Sequence, residues 1–235
     1  MVVKCLGSGS SGNGWVIDSG EEAIILDCGL PPLEAKKAVN FNILKIRGCI
    51  VSHEHKDHAR YVDQYQRIGF RVALPYEQGD DYQTYHFGLF TVKTFPLVHD
   101  VPCYGFLIDH PDCRILYATD TEYIKYRFKN LNCIIVEANY AVDKLSDELD
   151  DTIKRTHVLR GHMELATTQR FLQANVSDET KCIVLAHLSN ENADREYFRD
   201  STQQLVNCPV HIAKKGLVVD LGDLLPTQSD QNEMP

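Results

Sequence analysis

The sequence predicts an α/β fold in which two mixed β-sheets are covered by helices. Short apolar runs typical of strands alternate with amphipathic helical patterns along the chain. The 235 residues are 43% hydrophobic, which is enough for one sizeable core without a second one. We therefore predict a single domain over residues 1–225, followed by a polar, disordered tail over residues 226–235.

The individual elements follow from the period of the apolar residues. Strands are expected at residues 2–6, 14–18, 23–27, 48–52, 71–74, 89–94, 104–109, 113–118, 132–136, 181–186 and 217–220. Helices are expected at residues 32–39, 59–69, 143–155, 165–176 and 194–206.

A dense cluster of metal-competent side chains lies directly after the predicted strand at 48–52. Residues 53–58 supply His53, His55, Asp57 and His58 within six positions. His53 and His55 share a face in extended backbone, whereas Asp57 and His58 lie beyond the bend and can reach a second ion. Mixed nitrogen and oxygen ligands suit first-row metals, so the cluster predicts two metal ions in preference to a solvated turn with incidental histidines.

Three further candidates each follow an apolar run as its first strongly polar, metal-competent group. They are His99, Asp120 and His187. One such residue alone is more often structural than a ligand. Taken together with residues 53–58, the three predict convergence on one edge of a layered sheet.

This series of residues resembles the metallo-β-lactamase fold superfamily, whose motif His-x-His-x-Asp-His is followed by single His, Asp and His ligands. The resemblance implies an αββα sandwich that holds two divalent metal ions, either zinc or manganese, with iron also possible. It implies one ion on His53, His55 and His99. It implies that Asp57, His58 and His187 bind the other ion, and that Asp120 bridges the two ions.

The opening of the chain narrows the resemblance to one branch of that superfamily. The Gly/Ser-rich residues 7–14 and the run 24–29 resemble the start of the WalJ-like (YycJ) single-domain hydrolases, whose characterised members are similar to DNA exonucleases. We expect a cytoplasmic protein, because the start is not signal-like and no apolar stretch reaches membrane length. These features weigh against the secreted antibiotic-hydrolysing relatives and against a membrane partner.

A second pair of residues bears on which bond is broken. Glu137 ends a predicted strand and His162 precedes the predicted helix at 165–176, which resembles the Glu-Ala and Gly-His motifs of phosphodiesterases in the superfamily. The resemblance implies that His162 contacts the scissile phosphate and can protonate the leaving oxygen, while Glu137 orients it. With Asp57, these form the predicted catalytic residues. Met163 and Glu164 stand where relatives usually have a helix-capping Ser or Thr.

We therefore predict a dinuclear-metal-dependent phosphodiesterase, a DNA exonuclease that uses a metal-bridging hydroxide. Its expected partners are nucleic acid ends, with DNA preferred over RNA. The alternatives are a hydrolase of a small ester, lactone or cyclic nucleotide, and a non-catalytic binding protein that keeps only the fold.

Charge and cysteine content refine this prediction. A net charge of −9 is unusual for a nucleic-acid binder, and the basic groups noted are local, at 36–37, at 154–155 with Arg160, and at 214–215. We expect an enzyme that grips a few nucleotides near a terminus. The eight cysteines fall mostly within predicted strands, so we expect them to be free thiols in the core of a protein in a reducing compartment.

Overall fold

The computed structural model describes residues 1–142 and 161–222. Within these residues the chain forms two mixed β-sheets with helices packed on their outer faces, which confirms the predicted fold class. The strands are β1 (Val2–Gly7), β2 (Gly14–Asp18), β3 (Ala23–Leu26), β4 (Ile46–Ile50), β5 (Val72–Ala73), β6 (Thr84–Phe87), β7 (Phe90–Pro96), β8 (Tyr104–His110), β9 (Cys113–Ala118), β10 (Cys133–Glu137), β11 (Cys182–Ala186), β12 (Val210–Ile212) and β13 (Val218–Asp220). The α-helices are α1 (Pro32–Ala38), α2 (Lys56–Ala59), α3 (Val62–Arg67), α4 (Leu165–Asn175) and α5 (Arg195–Gln203), and single 3₁₀ turns span Ile43–Lys45 and Pro75–Glu77.

Both sheets change from antiparallel to parallel pairing partway across. The first sheet has the order β13-β1-β2-β3-β4-β5, and its pairs β3–β4 and β4–β5 are parallel. The second has the order β12-β11-β10-β9-β8-β7-β6, and is parallel from β9 to β12. Strands β10 and β11 are buried along their whole length, as parallel strands covered on both faces must be.

Three hydrophobic layers hold the sandwich together. The central layer joins the inner faces of the two sheets and contains Trp15, Phe106 and Tyr117. The outer face of the first sheet packs on α1 and α3, and that of the second packs on α4 and α5. The burial of these large side chains is the main force that fixes the two sheets face to face.

Each of the predicted strands overlaps an observed strand, and three helices are confirmed with ends shifted by up to three residues. The structure adds the short edge strands β6 and β12. The helix predicted at 59–69 is wrong as one element, because α2 and α3 are separate. The carbonyl of Asp57 accepts a hydrogen bond from Asn13 N (2.7 Å), and Tyr61 N–H donates to Cys28 O (2.9 Å) instead of to that carbonyl. The helix predicted at 143–155 and the tail predicted at 226–235 lie outside the described residues.

All eight cysteines are buried free thiols, as predicted. Burial raises the pKa of the Cys103 thiol, beside the histidine cluster, well above its usual range. The described part of the chain contains no helix that is both long and apolar enough to cross a membrane.

Candidate metal centre

The direction of the strands brings the predicted ligands to one edge of the sandwich. Strands β9, β10 and β11 run parallel, and β7 runs the same way as β9 because each is antiparallel to β8. His99, Asp120, Glu137 and His187 end or follow these strands, so they share an edge. The residues after β4 reach the same edge from the other sheet.

The structure brings together the first predicted ligand group. One nitrogen from each of His53, His55 and His99 can be chosen so that all lie within 4.8 Å of one another. His55 Nδ1 is 3.2 Å from His99 Nε2. Asp100 lies at the outer side of this group, with Oδ1 3.0 Å from His99 Nε2.

The second predicted group is equally close. Ligand atoms of Asp57, His58 and His187 also lie within 4.8 Å of one another. Asp120 stands between the two groups, with Oδ2 3.0 Å from His58 Nε2 and Oδ1 3.5 Å from His187 Nε2. A third set within 4.8 Å contains His53, His58 and Asp120, so this carboxylate adjoins both groups.

Acceptors outside the centre hold four of these rings through Nδ1, which directs Nε2 inward. His58 Nδ1 donates to Asp27 Oδ2 (2.8 Å), and His99 Nδ1 to the carbonyl of Gly161 (3.0 Å). In the same way, His53 Nδ1 donates to Ser52 Oγ (3.0 Å), and His187 Nδ1 donates to Glu137 Oε1 (3.2 Å). Such outer partners fix the tautomer and orientation of metal-binding histidines.

Asp27 is the central acceptor of this outer layer, and the sequence reasoning assigned it no role. It is fully buried, and it accepts hydrogen bonds from the amide and hydroxyl of Ser52 (2.8 and 2.9 Å), from His58, and from Tyr117 Oη. Because Ser52 donates its hydroxyl proton to Asp27, its oxygen is left to accept from His53. Asp27 follows the apolar strand β3, the same signal that identified the ligands.

Asn13, in the Gly/Ser-rich opening, is a second residue that the sequence reasoning missed. Gly9 N–H donates to its Oδ1 (2.8 Å), which turns the amide NH₂ towards the centre. Its Nδ2 lies 3.1 Å from Asp57 Oδ2 and 2.8 Å from His58 Nε2. The opening loop is therefore anchored directly to the second ligand group.

Glu137 and His162 form the pair that the sequence predicts beside the centre. His162 Nδ1 is 2.7 Å from Glu137 Oε1, and Glu137 is fully buried. The other carboxylate oxygen accepts from the amides of Thr121 (2.9 Å) and Met163 (3.3 Å). Glu137 thus links His162 to the predicted ligand His187 through one shared oxygen.

The expected cap of helix α4 is replaced by a different side chain. Glu164 is the N-cap residue, and its side chain accepts a hydrogen bond from the amide of Thr167. Thr168 Oγ1 donates to the carbonyl of Glu137 (2.7 Å). The segment carrying His162 is therefore fixed on its helical side despite the absence of a Ser or Thr cap.

The charges of the centre balance one another. Burial disfavours the charged ring of His58, but Asp27 and Asp120 outweigh this and raise its pKa to about 10. Burial, reinforced by the charge of His58, lowers the pKa of His53, so this ring is neutral. Burial lowers the pKa of His162 as well, but the charge of Glu137 prevails and raises it.

Three residues at strand ends of the centre adopt left-handed backbone. The φ angles are 61° at Asp27, 58° at Asp120 and 53° at His187. Such conformations are uncommon outside glycine and cost on the order of 1–3 kcal/mol each. The surrounding hydrogen bonds therefore maintain a strained geometry at the residues that build the centre.

These residues fit divalent metal ions. His53 Nε2 is buried without a hydrogen-bond partner, which is costly unless a cation occupies the adjoining space. Several imidazole nitrogens and two carboxylates meet there, and their outer partners are in place. Divalent metal ions are also what the fold implies.

Comparison with known proteins agrees with the geometry. The family profile described as Metallo-beta-lactamase superfamily matches residues 7–187. Exodeoxyribonuclease YycJ of Bacillus anthracis is 30% identical to the chain, over 86% of this chain and 87% of its own length. Exodeoxyribonuclease WalJ of Streptococcus pneumoniae is 25% identical to the chain, over 81% of this chain and 82% of its own length.

Solved structures share the fold at lower identity. The metallo-beta-lactamase fold protein YhfI from Bacillus subtilis superposes with a TM-score of 0.70 at 19% identity, covering 93% of this chain and 98% of that one. The short form of human tRNase Z superposes with a TM-score of 0.62 at 17% identity, covering 94% and 99%. The chain therefore belongs to the metallo-β-lactamase superfamily, in the branch of YycJ and WalJ, and is a metal-dependent hydrolase.

Proposed function

We propose that the protein is a dinuclear-metal-dependent phosphodiesterase that degrades DNA from an end. The observation that carries this proposal is the His162–Glu137 pair, joined at 2.7 Å beside two groups of metal ligands. A hydrolase of carboxylic esters needs the ligands alone, whereas a charged imidazole at this place suits a phosphate. The names of the two curated relatives support DNA as the substrate.

The ligand groups suggest how two ions are shared. His53, His55 and His99 would hold one, and Asp57, His58 and His187 the other, with Asp120 bridging them. Zinc and manganese both suit this nitrogen and oxygen set, and iron is compatible with it. Bound there, the ions would lower the pKa of a shared water and supply the nucleophile for attack on phosphorus.

The protein's own groups would complete the reaction. His162 would contact the scissile phosphate and give a proton from Nε2 to the departing alkoxide. The carboxylate of Glu137 raises the pKa of His162, which increases the share of the protonated ring at neutral pH. Glu137 is thus a positioning residue, acting through both His162 and His187. Asp57, as a ligand beside Asn13, would fix the second ion relative to the attacking water.

The test is digestion of end-labelled single- and double-stranded DNA and RNA oligonucleotides by protein loaded with manganese or zinc. His162→Ala should lower the turnover at least about 100-fold while the bound metal stays at two ions per chain. Asp120→Ala should lose both activity and metal. His86→Ala is the matched control, because His86 is exposed on β6 away from the centre, and it should behave as wild type.

Three outcomes separate the candidate functions. Stepwise shortening from one end, abolished in the His162 and Asp120 variants, supports the proposal and gives its polarity. Two bound metals without cleavage of any oligonucleotide would instead favour a small ester, lactone or cyclic phosphodiester. Full metal content without hydrolysis of any of these would leave a binding protein.

A further inference from the structure

The chain leaves the metal centre through a segment with an unusual surface. Residues 123–129, here called the basic strip, follow Asp120 closely and join β9 to β10. The strip alternates strictly: Tyr123 and three cations are exposed, while the residues between them are half-buried. The three cations are Lys125, Arg127 and Lys129.

The inward side chains hold the strip rigidly against the second sheet. Ile124, Tyr126 and Phe128 pack on the outer hydrophobic layer. The rings of Tyr126 and Phe128 lie 5.4 and 4.9 Å from that of Phe95, measured between centroids. The amide of Phe128 also donates to Asn175 Oδ1 (2.7 Å) on α4. The outward charges are consequently presented on a fixed support.

The start of the strip is tied to the centre itself. The amide of Thr121 donates to Glu137, its hydroxyl donates to the carbonyl of Tyr123 (2.9 Å), and the same hydroxyl accepts from the amide of Val98 (3.0 Å). Val98 immediately precedes the predicted ligand His99. The position of Tyr123 is therefore set relative to the residues that would handle the phosphate.

The three cations of the strip have no ion-pair partner among the described residues. Within residues 1–142 and 161–222, no carboxylate forms an ion pair with Lys125, Arg127 or Lys129. By contrast, Lys37 and Lys215, two of the basic residues noted in the sequence, both pair with Glu34. In a chain of net charge −9, three neighbouring cations that form no ion pair within the described residues mark a place where a polyanion is attracted.

Aromatic rings accompany the charges. The side chain of Tyr123 is 47% exposed and that of Tyr82 is 64% exposed, and Tyr82 reaches the strip through its hydroxyl, 3.1 Å from that of Tyr126. Lys125 Nζ lies 5.2 Å from the centre of the Tyr126 ring. A line of cations with exposed aromatic rings is the surface that single-stranded nucleic acid binds, through phosphates and stacked bases.

We infer that the basic strip binds the single DNA strand as it leaves the metal centre. This inference rests on the proposed function and adds the surface that holds the substrate. Seven residues span at most roughly 20 Å, which matches about six stacked nucleotides at ~3.4 Å each. Tyr123 would stack on a base near the cleaved end. The three cations lie two residues apart, about 7 Å in extended backbone, and would contact every second phosphate beyond it.

The test measures binding of fluorescein-labelled phosphorothioate oligothymidylates, which resist hydrolysis, to the metal-loaded protein by fluorescence anisotropy. The wild type should bind a ten-nucleotide strand more tightly than a dinucleotide. In the variant K125Q/R127Q/K129Q this gain with length should be lost, and the Kd of the longer strand should rise at least about tenfold. The slope of log Kd against log salt should fall by about 2, since each phosphate contact on a single strand contributes ~0.7.

Three further variants make the test specific. R47Q/R67Q/R199Q removes the same charge from exposed arginines that pair with carboxylates, and it should leave both the affinity and the salt slope unchanged. Tyr123→Ala should weaken binding of the longer strand about tenfold, and Tyr123→Phe should restore it, because a stacked ring needs no hydroxyl. Unchanged thermal midpoints and metal contents would show that the variants are folded.

The outcomes distinguish the inference from the function on which it rests. A wild type that shortens oligonucleotides, together with a strip variant that keeps the wild-type affinity and salt slope, would overturn the inference alone. Equal losses in the strip variant and in R47Q/R67Q/R199Q would also overturn it, because the effect would then be one of net charge. A metal-loaded wild type that neither binds nor cleaves any oligonucleotide would reject the proposed function itself.

Discussion

Removal of one buried hydroxyl should weaken both the fold and the metal centre. In Tyr117→Phe, the ring keeps its stacking on Phe106, at 5.8 Å between centroids, and its edge contact with Trp15 at 6.4 Å. Only the hydrogen bond to the buried carboxylate of Asp27 is lost, together with a long contact from Thr119 Oγ1 (3.3 Å). The substitution therefore isolates the outer layer of the centre from the packing of the core.

The expected loss of folding free energy follows from the charge of the acceptor, Asp27. A hydrogen bond to a charged group contributes about 1.5–3 kcal/mol, and Asp27 retains His58 and Ser52 as donors, so we expect a loss of about 2 kcal/mol. For a chain of this size that loss lowers the Tm by about 4–8 °C. Because Asp27 orients His58, metal affinity should fall about tenfold.

Urea unfolding gives the stability change, and competition with a chromophoric chelator gives the affinity. Tyr85→Phe is the control, since that hydroxyl donates to the neutral amide of Gln83 at a sheet edge and should matter less. A loss below about 0.5 kcal/mol in Tyr117→Phe would refute the reasoning. Strict additivity with Asp27→Asn would refute the assignment of the effect to this hydrogen bond, because residues in contact should couple.

Three further predictions concern the centre. Glu137→Gln should lower kcat about 10- to 100-fold. It should also move the alkaline limb of the pH–rate profile to lower pH, because the carboxylate that raises the pKa of His162 is removed. An unchanged pH–rate profile would contradict this. Gly29→Ala should cost about 3 kcal/mol or more and reduce the bound metal, since its Cβ would lie 1.7 Å from the carbonyl oxygen of Asp57; wild-type stability in urea with two ions bound would disprove it. In chelator-treated protein, the raised pKa of His58 stabilises the fold fully below pH 6.5, and that contribution is lost as the pH rises through about 10. The loss has an upper limit of about 5 kcal/mol, and urea unfolding at pH 6, 8 and 10 should show declining stability, whereas a rise would exclude the assignment.

The convergence of the predicted ligand groups could be expected from the sequence because their signal is local. A metal-competent residue directly after a buried strand lies at a sheet edge, and parallel strands bring such residues together without any knowledge of packing. Asp27 carries the same signal after β3 and could have been found by the same criterion. Asn13 and Tyr117 could not, because their contacts join distant segments and follow no periodicity in the sequence.

Elsewhere, tertiary contacts override local preference. The helical pattern at 59–69 is real, but backbone donors from Asn13 and Tyr61 set the hydrogen bonds at its start, and so the helix divides. The edge strand β6 has four residues and β12 three, which are too few for a clear period. The basic strip carries no distinct signal in the sequence, because the alternation becomes informative only when the exposure of each side chain is known.

The pairing of the first and last described strands has a consequence for folding kinetics. Val2 lies opposite Asp220, so β1 gains its second neighbour only when the most distant parts of the chain meet. The predicted ligands from 53 to 187 likewise meet only when both sheets have formed and packed face to face, a late event for such non-local contacts. Stabilising interactions that are absent from the folding transition state lower the unfolding rate and leave the folding rate nearly unchanged. We therefore expect bound metal to prolong the lifetime of the folded protein by slowing unfolding, with little effect on the rate at which the chain folds.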